Sequence, residues 1–70
     1  MPQTIYVALL NEGTPVWAPV SAIHVRDDIY QIEDIRGEDA EFEFGKGALV
    51  RCRLQTLSEG ENLVAYEMAP

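Results

Sequence analysis

The residues of this chain that could do chemistry are few and unevenly placed. Glu33, Asp34, Glu38, Asp39, Glu41 and Glu43 form an acidic stretch relieved only by Arg36. Paired carboxylates serve hydrolases when one is shielded and its pKa is raised. These fall in a charged, glycine-containing loop and on the outward side of the alternating run Glu41-Phe42-Glu43-Phe44, where they stay ionised and solvated. No D-x-D-x-D-G spacing supplies an oxygen-ligand loop for calcium. His24, the single histidine, has no partner arrangement for a metal, and Ser21 alone makes no triad. Cys52, the single cysteine, lies between Val50 and Leu54 on one parity and reads as a small buried hydrophobe. Arg51 and Arg53, which would lower a thiol pKa, take the other parity. The expectation is no enzyme, no cofactor and no metal.

Binding candidates come from the aromatic residues and the acidic rim. Trp17, flanked by Pro15 and Pro19, has two readings. It is either a barrel cap with its indole N–H satisfied by a carbonyl, which is the ordinary case, or a ligand-facing ring. Tyr30, Phe42 and Phe44 could join it in a cage for a cationic group, but alternation turns both phenylalanines inward. Tyr6 and Tyr66 are ambiguous. The contact set is therefore Trp17, Tyr30, Glu33, Asp34, Glu41 and Glu43.

Strands must position these residues. A first apolar run covers residues 4–10 and stops at the Gly- and Pro-containing loop 11–15. A second covers residues 16–25, with Pro19 marking an edge strand or a bulge. Taking Asp27-Asp28 as a two-residue turn pairs Val25 with Tyr30, Ile23 with Ile32 and His24 with Gln31, which separates apolar from polar faces. A three-residue loop at Gly45-Lys46-Gly47 pairs Phe44 with Ala48, Phe42 with Val50 and Glu41 with Arg51. Val50, Cys52 and Leu54 then point inward, and Arg51, Arg53 and Gln55 outward. A final turn at residues 58–62, with room for one helical turn at Ser58-Glu59-Gly60, leads to a last strand at 63–68. Five long strands and a short one at 41–44 predict a single all-β domain, a strongly bent SH3-like barrel, with an OB-like barrel as the alternative.

Bulk properties agree. Seventy residues make one domain, and a 47% apolar content suits a folded one. No apolar run reaches the ~20 residues that cross a bilayer. Met1-Pro2-Gln3-Thr4 lacks a signal-peptide pattern and one cysteine precludes an internal disulfide, so a cytoplasmic setting is expected. Twelve acidic residues against five basic ones leave a net charge of −7. That balance opposes direct nucleic-acid binding, which needs a basic patch. Its ordinary role is solubility; the sharper reading is a surface that meets a basic partner.

Two resemblances add to this reading. The stretch from Tyr6 to Val20 (YVALLNEGTPVWAPV) resembles the Y-V-x-L-L-x-E-G-T-x-V-W-x-P-V opening of small, uncharacterised bacterial proteins. Residues 42–52 are loosely similar to their F-x-x-G-x-x-V-R-C segment, with different spacing. Where that pattern often has a basic residue, this chain has Ala18, which puts in doubt any role resting on a charge beside Trp17. The resemblance implies a bacterial origin and a stand-alone small barrel, and no activity. Val16-Trp17-Ala18 followed by Asp28-Ile29-Tyr30 is similar in layout to Tudor-like domains, which imply recognition of methylated side chains. The expected function is a non-enzymatic protein-interaction module. The alternative is an acidic regulatory or inhibitory protein that binds a basic enzyme or nucleic-acid-binding partner. Exposed strand edges would also allow a homodimer.

Overall fold

A computed structural model describes residues 2–10, 13–14, 16–35, 41–57 and 60–69. Its strands are β1 (Pro2–Ala8), β2 (Trp17–Arg26), β3 (Ile29–Asp34), β4 (Leu49–Leu57) and β5 (Gly60–Met68). Each pairs antiparallel with the next, and the sheet closes into a barrel in the order β1-β2-β3-β4-β5. An odd number of alternating strands brings the first and last together parallel, and β1 meets β5 in that sense at Tyr6 and Val64. This is the expected small all-β barrel, consistent with the SH3-like type. Its sequential order differs from the Greek-key path of an OB fold.

The interior is built from alternate residues. Ile5 and Val7 of β1, Val20 and Ala22 of β2, Ile32 of β3, Val50 and Cys52 of β4 and Ala65 of β5 are buried together, with Tyr30 and Phe44. Phe42 is partly buried against the same cluster.

The β2–β3 hairpin departs from the expected register. Asp27 and Asp28 do form its two-residue turn, since Arg26 pairs with Ile29. Asp27 sits there at φ 45, a left-handed conformation. A bulge between His24 and Arg26 then leaves Val25 unpaired, so His24 faces Tyr30, Ile23 faces Gln31 and Ala22 faces Ile32. The extra residue shifts the parity by one. Ile23 and Val25 turn outward, at 36% and 50% exposure, and the compact Ala22 takes the core position.

The second expected hairpin is replaced by a longer connection. Val50 pairs with Tyr30 of β3, not with Phe42. Phe42 bridges Leu9 instead, with the Leu10 N–H donating to the Glu41 carbonyl at 2.7 Å and the Glu43 N–H to that of Ala8 at 2.9 Å. Glu41 is accordingly not opposite Arg51, whose partners in register are Ile29 and Glu67. The turn itself is a β-turn closed by the Ala48 N–H on the Gly45 carbonyl at 3.1 Å, with Gly47 at φ 87 where only glycine is unstrained. β3 wins the pairing with β4 because Tyr30 and Ile32 offer it a continuous apolar face.

Pro19 pairs with Tyr6 on β1 and lies beyond Ser21, the last β2 residue in register with β3. Its missing N–H is therefore tolerated. At the opposite end, Leu54 was expected inside and is instead 63% exposed. β3 pairs with β4 only as far as Arg51, so the β4–β5 hairpin runs past the barrel wall. The loop residues Asn11, Glu12 and Pro15, the charged residues Arg36, Glu38 and Asp39, and the helical turn expected at Ser58-Glu59 lie outside the described residues, wholly or in part.

Candidate functional site

The register fixes which side chains share the outer face of β1, β2 and β3. With Ile5, Val7, Val20 and Ala22 inside, the outward positions of β2 are Trp17, Pro19, Ser21 and Ile23. Their β1 partners are Ala8, Tyr6, Thr4 and Pro2. Ser21 is paired in turn with Asp34 of β3, which makes a cross-strand row Thr4, Ser21, Asp34. At this row a second bulge occurs, between Ser21 and Ala22, and Glu33 falls in it. Bulges bend a sheet and re-aim side chains. The bend opens a cleft of about 390 Å³ lined by Thr4, Pro19, Val20, Ser21, Glu33 and Asp34.

Trp17 is partly buried, stands outside the core cluster and projects from the same side of β2 as Pro19 and Ser21. It lies four residues from Ser21, roughly 13 Å along the strand. An aromatic ring and a proline thus stand at one end of the face, and two exposed carboxylates at the other.

The other expected contacts are dispersed. Tyr30 is 8% exposed and belongs to the core, where its ring stacks on His24 with centroids 4.8 Å apart. Burial, then the neighbouring Cys52 and Asp28, raise its hydroxyl pKa. It is a packing residue because it shares the inward parity of β3 with Ile32. His24 is exposed as expected, but it faces Tyr30 and not Gln31, and its Nε2 lies 2.7 Å from the Asp27 carbonyl. Glu41 and Glu43 are exposed on the β3–β4 connection, held against β1 by their backbone and apart from the cleft lining.

Chemistry at Cys52 is suppressed. The thiol is 4% exposed, and its pKa is pushed up to about 11 by burial and, secondarily, by the charge on Asp28. Among the described residues no cluster of His, Cys, Asp and Glu is arranged to hold a metal. A second aromatic feature lies on the outer side of β4 and β5. The Arg53 guanidinium sits 4.7 Å over the Tyr66 ring, whose hydroxyl donates to Asp28 at 3.3 Å. Beside it the Arg51 Nε is buried without a hydrogen-bond partner among the described residues.

Of the residues lining the cleft, only Glu33 and Asp34 are among the contacts expected from sequence; Thr4, Pro19, Val20 and Ser21 are not. Their types carry no signal; only the register across three strands and the bulge at Ser21 bring them together. Among the described residues no helix is long and apolar enough to cross a membrane. Compared with protein-family models, with curated proteins and with solved structures, the chain matches none.

Proposed function

We propose that this domain is a non-enzymatic interaction module that takes an extended, positively charged peptide segment of a partner protein. The observation that carries the reading is the cleft with Glu33 and Asp34 in its wall and Trp17 on the same outer face. Two ionised carboxylates attract a lysine or arginine head group. The tryptophan ring and Pro19 offer apolar and cation–π contact to its neighbours. A span of roughly 13 Å suits four or five residues in extended form. The net charge of −7 adds long-range attraction for a basic segment. It also favours a protein partner over a nucleic acid. The buried lone cysteine fits residence in a reducing compartment such as the cytoplasm.

The test is a titration of the labelled domain with a capped decapeptide alternating arginine and proline, followed by amide chemical shifts. Expected are perturbations at Thr4, Ser21, Glu33, Asp34 and the Trp17 indole, weakening steeply as salt rises. A Glu33→Gln/Asp34→Asn double variant should lose at least about tenfold in affinity, on the order of 1.4 kcal/mol. Perturbations confined to other faces, or affinity indifferent to ionic strength, would overturn the assignment.

A further inference from the structure

β4 has an unused edge. Alternate residues of β4 and the turn before it direct their backbone groups toward β3. The Ala48 carbonyl accepts from the Ile32 N–H at 2.9 Å, and the Cys52 N–H donates to the Asp28 carbonyl at 2.8 Å. Beyond Cys52 the β2–β3 turn has been passed, so Leu54 and Thr56 aim their N–H and C=O groups at no strand among the described residues. The intervening Arg53, Gln55 and Leu57 face β5, in register with Val64, Asn62 and Gly60. Residues 53–57 contain no proline, no lysine and no bulge to protect the edge, and Arg53 is their one charged side chain. Leu54, at 63%, is its most exposed apolar side chain.

We propose that this edge pairs with the same edge of a second copy, giving a two-fold symmetric dimer. The edge is self-complementary. An antiparallel pairing centred on Gln55 sets Leu54 against Thr56 of the second copy and Thr56 against its Leu54. Each of these pairs exchanges both of its backbone bonds, so the four free groups of one edge meet the four of the other. Such a contact is isologous and closes on itself without leading to fibres. Charge points to the same place. A molecule of net charge −7 repels its own copies, yet residues 53–57 contain no acidic group and one arginine. The carboxylate opposite this segment, Glu61, is on β5, one strand away from the contact. Pairing along five residues buries less than the ~1,200 Å² of a standard interface, which places the contact in the weak, transient class.

Sedimentation of the full chain from ~10 μM to ~1 mM tests this. A monomer–dimer equilibrium should appear in the wild type and vanish in Thr56→Pro, which removes one outward N–H while leaving the β4–β5 ladder intact. Leu54→Glu, at an exposed site, should do the same without a backbone change. Gln55→Cys places a reactive thiol on the two-fold axis, at the ~4.5 Å Cα separation of a non-hydrogen-bonded pair. It should oxidise to a covalent dimer at least tenfold faster than the exposed control Lys46→Cys. Wild-type chain that stays monomeric at ~1 mM overturns the proposal. So does undiminished association of folded Thr56→Pro and Leu54→Glu, or equal oxidation of the two cysteine variants.

Discussion

Individual side chains divide here according to which face the pleat gives them. Trp17 is outside the core cluster, so Trp17→Ala should cost under ~1 kcal/mol of stability, well short of the 3–5 kcal/mol of a core aromatic. The same variant should weaken the basic peptide at least about tenfold, as loss of an aromatic anchor does. Urea unfolding and the peptide titration, run side by side, separate the two effects. Cys52 is the opposite case. With its pKa pushed from 9.0 up to about 11, the folded state holds the neutral thiol more tightly than the unfolded chain does. Stability from this group is therefore complete below pH 9 and is lost as pH rises toward 11. Burial raises Tyr30 in the same sense, which steepens the alkaline loss. Native protein at pH 8 should react with a thiol reagent only as fast as it opens, and denaturant should release the reaction. The inert cysteine was legible from parity alone, since Val50, Cys52 and Arg51 alternate without interruption. Trp17 was not, because its run contains no buried neighbour until Val20.

The β2–β3 pairing is governed by two bulges, and two turns carry positive-φ residues. The bulge at Val25 converts a plausible hairpin register into its neighbour, and the bulge at Ser21 makes the cleft. Neither has a sequence signature beyond residues that tolerate the outward position. The turns have one. Asp27 holds a left-handed φ of 45 that glycine adopts without strain. Asp27→Gly should accordingly raise stability by about 0.5–1 kcal/mol, or ~3–6 °C in Tm for a domain this size. Gly47, at φ 87, works in reverse: Gly47→Ala should cost roughly 1–2 kcal/mol. Thermal unfolding followed by circular dichroism reads both. Equal Tm values for wild type and Asp27→Gly would mean the bulge, not the turn residue, carries the hairpin.

At the scale of the whole molecule, charge and edges decide what can approach. On the proposed readings, excess negative charge draws basic segments toward the cleft and keeps copies apart except at residues 53–57. Raising salt should therefore act with opposite sign on the two contacts. It screens the attraction for the arginine–proline peptide and relieves repulsion between copies. Measured from 50 to 500 mM salt, peptide affinity should fall by tenfold or more while dimerisation holds or strengthens. A parallel fall in both would show that one surface serves both partners.

From sequence alone follow the all-β class, the inward placement of Val50, Cys52 and Phe44, and the surplus of carboxylates at the β3 end. These depend on residue type and a period of two, which are local properties. Tertiary structure decided the rest: that β4 pairs with β3 in place of the Phe42 segment, that Leu54 overhangs the barrel, and that Tyr30 is core. It also turned Trp17, Thr4, Ser21, Glu33 and Asp34 to one outer face. One residue inserted by a bulge inverts every assignment that follows along the strand. The choice of pairing partner is settled by apolar faces distant in sequence, and neither can be read from neighbouring residues.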